Sequence, residues 1–184
     1  MRALAARRPI MAASDRRGWL WGRWSQLGLA IALVTLVADQ AHKWWMLEVY
    51  RIQDRGRVAI TPFLDLVYVK NLGISYGLLA SHGELTQWLL AAFAALAAIG
   101  LAWWLANGAS GRLWAASLGL LIGGAIGNAI DRLRLGGVAD FFSLHAYGFY
   151  WYVFNIADVA IVAGVIGLLY DSLRASRNDA SKAA

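Results

Sequence analysis

The sequence predicts an all-α polytopic membrane protein: four transmembrane helices, with a small extracytoplasmic β-rich segment between the first and the second. Three observations lead there. Hydrophobic residues make up 60% of the 184 positions and charged residues only 15%, against about 45–50% and about 25% in an ordinary soluble domain. Mean hydropathy is +0.52. Four runs approach the roughly 20 mostly apolar residues that a helix needs to cross a bilayer. The composition excludes intrinsic disorder. The lack of cysteine excludes disulfide scaffolds, thiol nucleophiles, Cys-ligated zinc, iron–sulfur clusters and covalent c-type haem.

The first 23 residues form a basic tail, with Arg2, Arg7, Arg8, Arg16, Arg17 and Arg23 against one acid, Asp15. The net charge of +6 is concentrated there rather than spread as a nucleic-acid face, so no nucleic-acid partner is expected. The first span, 24–45, is uncharged until Asp39. It is longer than a signal-peptide core of about 7–15 residues, and no small-x-small cleavage site follows, so it reads as an uncleaved anchor. Residues 57–70 are β-prone and interrupted by Pro62, which predicts a small extended region outside the membrane. The second span, 85–106, lies in an uncharged run reaching Gly111. The third, 113–130, ends at Asp131, and the fourth, 149–170, holds one charge, Asp158. Residues 171–184 form a C-terminal tail, and 24–170 one membrane domain. The basic N-terminal tail and Arg112 place both termini and the turn between the second and third spans in the cytoplasm.

Charged groups in or beside spans are costly and functional by default. Here they are Asp39, Lys43, Asp131, Arg132, Asp140 and Asp158. The predicted topology brings all six to the non-cytoplasmic face. Asp39 and Lys43, four apart on a helix, are neighbours. They read as an ion pair closing the first span, or alternatively Lys43 orients a loop or meets a lipid phosphate. Asn71-Leu72-Gly73-Ile74-Ser75-Tyr76-Gly77 suits a tight turn back to the membrane, and an Asn amide there could donate to an oxyanion. Asn128 and Asp131 share a helix face. Asp131 reads as a structural acid balanced locally by Arg132.

Asp140 and Asp158 have no cation of their own in the sequence. Two carboxylates brought together at low dielectric cannot both ionise and must share a proton. One can then take a proton from water while the other protonates a carbonyl or a leaving amine. The alternative for each is a helix-packing hydrogen bond. No metal site or cofactor is expected: His42, His82 and His145 are scattered, and HExxH, GxSxG, P-loop and GxGxxG patterns are absent. A transporter would distribute acids across the membrane thickness. A structural subunit would tolerate their loss.

Taken in order, Asp39-Gln40-Ala41-His42-Lys43, Asn71-Leu72-Gly73 through Gly77, Gly124 through Arg132, Val138-Ala139-Asp140-Phe141 and Phe154-Asn155-Ile156-Ala157-Asp158 resemble the lipoprotein signal peptidases (signal peptidase II) over residues 26–170. The resemblance implies an aspartic endopeptidase of the bacterial inner membrane. Such an enzyme removes the signal peptide from diacylglyceryl-modified prolipoproteins by cutting just before the lipidated cysteine. It implies that Asp140 and Asp158 are the catalytic pair, and that Asn71, Gly73, Asn128, Asp131, Arg132 and Asn155 form the polar shell that meets substrate. It also implies that Asp39 and Lys43 are the family's first-span pair, and that 57–70 is its extracytoplasmic cradle. The expected partners are the lipid-modified precursor and membrane lipids, and the expected state is a monomer with no cofactor. The chain departs from the family pattern at Tyr76, where Phe is expected, at Val159, where a small polar residue is frequent, and at Trp151-Tyr152-Val153, which lacks a Pro.

Overall fold

A computed structural model describes residues 22–73, 83–108 and 111–183. The basic tail up to Arg17 and the Ile74–Gly77 part of the turn motif, including Tyr76, lie outside the described residues, as does His82. Helix α1 (Ser25–Trp44) continues into a π-helical turn, Trp45–Val49, and a 3-10 turn, Ile52–Asp54. Strands β1 (Val58–Thr61) and β2 (Leu64–Asn71) follow, then α2 (Glu84–Gly108), α3 (Arg112–Leu135), β3 (Val138–Ala146), β4 (Phe149–Phe154) and α4 (Ile156–Ala183).

The expectation of an all-α chain is corrected by an antiparallel four-stranded sheet ordered β1-β2-β3-β4. Its first half is the expected segment, with Pro62 at the β1–β2 turn. Its second half was hidden. The apolar run places residues 149–154 in the fourth span, but they form β4, and α4 begins only at Ile156. The run Phe-Tyr-Trp-Tyr-Val-Phe is apolar, so hydropathy cannot separate it from a helix start; its aromatic and β-branched side chains suit a strand. Tyr147 and Gly148, both at positive φ (50° and 80°), make the tight turn that joins antiparallel strands with native twist.

Among the described residues three helices, α2, α3 and 156–174 of α4, are long and apolar enough to cross a membrane. Helix α1 carries Asp39, Gln40, His42 and Lys43 in its last two turns and does not reach the same hydropathy. Outward-facing side chains are large and apolar, among them Leu33, Val34, Leu96, Ile99 and Ile166, as expected of surfaces that meet lipid rather than water. Helix α3 is the hub. It packs on α1, α2 and α4, whereas α2 and α4 pack on it and leave a gap between themselves.

Close approach explains the hub. A Cβ on Gly119 would strike the Gly28 carbonyl oxygen of α1, and one on Gly123 would lie 2.5 Å from the Ala32 oxygen and 2.7 Å from Thr35 Cβ. The four-residue spacing puts both glycines on one face, the small-xxx-small pattern by which helices pack in lipid. A core of Ala32, Ala98, Leu105, Ala115, Leu118 and Ile122 fills the bundle. A second core of Met46, Ile52, Ala139 and Phe141 fastens the sheet to the turns after α1. Helix α3 stops at Gly136, in the left-handed region (φ 66°), whose N–H returns to the Arg132 carbonyl, a helix end that favours glycine.

Replacing Gly123 by Leu should therefore separate α1 from α3, at a cost of about 1–3 kcal/mol by overpacking. Thermal unfolding in detergent should show a clear fall in Tm. Gly100→Leu on the open face of α2, where an added Cβ meets nothing, should leave it unchanged.

Candidate active site

Strand alternation aims the first carboxylate. On β3, Ala139 and Phe141 point into the core beneath the sheet, so Asp140 between them points the other way. It meets two amides. Asn155 Nδ2 donates to its Oδ1 at 2.6 Å and Asn71 Nδ2 to its Oδ2 at 3.2 Å. Asn71 reaches it because Val69 is the β2 residue opposite Asp140 and Asn71 is two further along the same face, a diagonal cross-strand neighbour. Asp140 is only 1% exposed. Burial pushes its carboxyl up to about 7, the Asp158 charge adds to the rise, and the bonds from Asn155 and Asn71 and the charge of Lys43 oppose it.

The second carboxylate is held by a helix start. Asn155 immediately precedes α4: its Oδ1 accepts from the Asp158 N–H at 3.0 Å, and Asp158 Oδ2 accepts from the Asn155 N–H at 3.1 Å. This is a reciprocal capping box, with Asn and Asp in the roles more often played by Ser or Thr and Glu. The remaining oxygen, Oδ1, accepts from Asn128 Nδ2 of α3 at 2.9 Å. Asn155 Nδ2 also donates to Asn128 Oδ1 at 3.2 Å. The chain Asp140–Asn155–Asn128–Asp158 therefore links the two carboxyls through two amide side chains. The later start of α4 puts Asp158 in its first turn, shallower than a span from 149 implies.

Behind this lies a buried charge cluster. Lys43 Nζ is 2.8 Å from Asp39 Oδ2 and 2.7 Å from Asp131 Oδ2, and donates to Asn128 Oδ1 at 3.2 Å. Asp39 Oδ1 accepts from the Ala157 N–H at 3.0 Å, so α1 supplies a further cap for α4. Asp131 Oδ2 accepts from the Ala139 N–H at 3.1 Å. The expected ion pair of Asp39 and Lys43 is present. The expected local balance of Asp131 by Arg132 is corrected: the cation beside Asp131 is Lys43. Arg132 instead donates to the carbonyls of Asn128 (3.2 Å) and Gly73 (2.9 Å), and Gly73 N–H donates to Asn71 Oδ1.

The structure thus brings together Asp39, Lys43, Asn71, Gly73, Asn128, Asp131, Arg132, Asp140, Asn155 and Asp158. Gln40 was overlooked as a site residue. Its Nε2 reaches Asp131 Oδ1 at 3.0 Å and the Gly127 carbonyl and Asp39 Oδ2 at 3.2 Å each. Its place beside Asp39 and one turn from the end of α1 was the available signal. His42 stacks on Phe142, with ring centres 5.2 Å apart, and serves packing. Among the described residues no group of three or more His, Cys, Asp or Glu could hold a metal ion.

Two grooves meet at Asp158. One, of about 410 Å³, lies in the gap between α2 and α4 and is headed by Asn71, Asn128, Arg132 and Asp158. The other, of about 480 Å³, runs along β4 and the far side of α4, past Trp151, Phe154, Val159 and Ile166. Chemically, the assembly offers one half-buried carboxylate at a groove mouth, one buried carboxyl that keeps its proton to neutral pH, and several fixed amide donors.

Known proteins match this arrangement. The sequence profile of the Signal peptidase (SPase) II family matches residues 31–174. The lipoprotein signal peptidase of Methylocella silvestris is 51% identical over 151 residues, covering 82% of this chain and 88% of the relative. That of Methylobacterium sp. (strain 4-46) is 51% identical over 156 residues, covering 84% and 94%. That of Rhodopseudomonas palustris (strain TIE-1) is 50% identical over 152 residues, covering 80% and 92%. Two solved bacterial membrane enzymes, both determined in meso, superpose with TM-scores of 0.70 and 0.68 at 27% identity. They cover 83% and 80% of this chain, and 91% and 93% of theirs. The chain is an integral membrane protein and belongs to the signal peptidase II family, the lipoprotein signal peptidases.

Proposed function

We propose that the protein is an aspartic endopeptidase that releases the signal peptide from diacylglyceryl-modified prolipoproteins, cutting just before the lipidated cysteine, with Asp140 and Asp158 as its catalytic pair. The observation that carries this reading is the pair itself. Two carboxyls from different elements are joined through Asn128 and Asn155 at the mouth of a groove.

In this reading Asp140 and Asp158 share one proton, and the ionised member draws a proton from water. The water oxygen attacks the scissile carbonyl carbon while the protonated carboxyl donates to the carbonyl oxygen. As the tetrahedral intermediate collapses, the C–N bond breaks and a proton passes from the pair to the departing amine of the cysteine. The titration belongs to the pair and not to either residue. Asn71, Asn128 and Asn155 hold the carboxyls. Arg132 fixes Gly73 and with it the end of β2. Asp39, Lys43 and Asp131 fix the start of α4 and the start of β3. No cofactor takes part.

The same reading has four spans, α1 among them, with residues 1–23 and 171–184 in the cytoplasm, the sheet on the outer face of the bacterial inner membrane, and a monomeric enzyme. The exposed aromatics of the β3–β4 hairpin, Tyr147, Phe149, Tyr150 and Trp151, suit that boundary. Confinement of the substrate's lipid to the bilayer restricts the scissile bond to the site's height and so supplies part of the orientation.

The decisive experiment presents purified protein with a diacylated prolipoprotein and with its unlipidated form, with and without a chelator. Cleavage of the lipidated form alone, indifferent to chelator, is expected; equal cleavage of both forms would remove the lipid from the mechanism. Asp140→Asn and Asp158→Asn should each lower kcat by about a thousandfold or more without changing Tm greatly, and full processing by either variant would exclude that residue from the pair. The pH profile of kcat/KM should have a descending limb near 7. Burial pushes the Asp140 carboxyl up to about 7, so the pair keeps its shared proton below that pH and loses it above, and the rate falls as pH rises.

A further inference from the structure

Helix α2 buries four residues, Gln87, Ala91, Ala98 and Leu105. They make one stripe along the helix, and Ala98 and Leu105 carry it into the core shared with α3. Three of the four are apolar. Gln87, at the head of the stripe, is polar and only 3% exposed. A primary amide taken out of water is costly unless it is hydrogen-bonded, so a buried Gln on an apolar helix needs a partner. Gln87 Nε2 donates to the Leu72 carbonyl at 2.6 Å, and Leu72 lies directly after Asn71. Two roles compete for that bond: seating α2, or setting the Asn71 side chain.

The chain from Asn71 to Gly73 is gripped from several elements. Arg132 of α3 donates to the Gly73 carbonyl at 2.9 Å. Gly137, just ahead of β3, comes so close that a Cβ there would lie 3.0 Å from the Asn71 carbonyl oxygen and 3.1 Å from Leu72 Cδ2. Gln87 adds the grip of α2. What it holds is half of one rigid unit, because the Leu72 carbonyl and the Gly73 N–H belong to the same planar peptide. Fixing the carbonyl therefore fixes the N–H. That N–H donates to Asn71 Oδ1 at 3.1 Å, in the manner of an Asx turn. The turn occupies the acceptor end of the Asn71 amide and leaves Nδ2 to meet Asp140 Oδ2 at 3.2 Å.

We infer that Gln87 is a positioning residue for the carboxyl pair: by holding the Leu72–Gly73 peptide plane, it sets which end of the Asn71 amide faces Asp140. This rests on the proposed function. Gln87 acts through the backbone and Asn71. If the plane turns, the Asx turn opens, and the Asn71 amide can present its oxygen to Asp140 as readily as its nitrogen. An oxygen there repels the ionised carboxylate, whereas the present donation from Asn71 favours it. Loss of that donation lets the pair keep its proton to higher pH. The charged groups that act on Asp140 are Asp158 of α4, Lys43 of α1 and Arg132 of α3. None of them is altered by a change at Gln87, so a shift reports the amide.

Gln87→Met keeps the length of the side chain and removes the donor. With the full-length enzyme and a diacylated prolipoprotein, it should lower kcat about tenfold, the equivalent of one hydrogen bond, with KM nearly unchanged. The descending limb of kcat/KM should move to higher pH by about half a unit or more. In an Asn71→Ala background the same substitution should lower kcat no further. A role confined to seating α2 predicts an unmoved limb and an effect that adds to that of Asn71→Ala. Either of those results, or an unaltered kcat in Gln87→Met, overturns the inference. Gln87→Glu keeps the shape and can donate when protonated, so it should recover part of kcat; it replaces Gln87→Met in the same cycle if the Met variant does not fold. A second measurement needs no turnover. Amide hydrogen exchange at Gly73 should be faster in Gln87→Met than in the wild type, and unchanged exchange would sink the assignment. A wild-type enzyme that fails to cleave the lipidated precursor would count against the proposed function instead, and the exchange at Gly73 would still decide whether Gln87 holds the turn.

Discussion

The site depends on a carboxylate that is not one of the proposed catalytic pair. Asp39, completely buried on α1, accepts from the Ala157 N–H at the start of α4 and pairs with Lys43. Helix starts carry unpaired N–H groups and a partial positive charge. In a protein whose surroundings offer little water, those groups must be met by side chains. Asp39 and Asn155 meet them together, and so fix where α4 begins and which way its first turn faces. Asp158 lies in that turn. An isolated Asp39 would be an unneutralised buried charge, so Lys43 is required. Lys43 in turn joins Asp131, which holds the Ala139 N–H beside Asp140. One lysine thereby ties the helix that carries one candidate carboxyl to the strand that carries the other.

Such a cluster is weak evidence for stability, because desolvation of the charges offsets much of their attraction. Its consequence is geometric. The three groups come from two helices that approach closely only because Gly119 and Gly123 have no side chain. Gly127 serves the same end, since a Cβ there would lie 2.5 Å from Asp39 Oδ2. The glycines of α3 and the charges of α1 are therefore parts of one device: bare backbone on one helix leaves room for a buried carboxylate on the other.

The two candidate carboxyls differ in setting, and the difference suits unequal protonation. Asp140 is closed in by the sheet and two amides, whereas Asp158 opens onto both grooves. Fixed amides can orient both groups without neutralising either, which a cation at hydrogen-bond distance would do. The cations stay one layer back. Lys43 is occupied by Asp39 and Asp131, and Arg132 by backbone carbonyls. Placing the positive charge there leaves the pair free to hold a proton near neutral pH.

Much of this was legible in the sequence. Long apolar runs located α2, α3 and most of α4 because a bilayer-sized helix is a property of composition and length. The β-prone run before Asn71 located β1 and β2. Charges set against an apolar background marked Asp39, Lys43, Asp131, Arg132, Asp140 and Asp158, because burial makes each one expensive. Hydropathy could not see β4, whose aromatic run is as apolar as a helix, and so it started α4 too early. Nor could it choose between Arg132, adjacent in sequence, and Lys43, 88 positions away, as the cation beside Asp131. Pairing across that distance is settled by which helices touch, and helices touch where glycine lets their backbones meet. Residue chemistry was thus fixed along the chain. The partners of each residue, the capping of α4 and the two grooves at Asp158 exist only once the helices and the sheet are packed together.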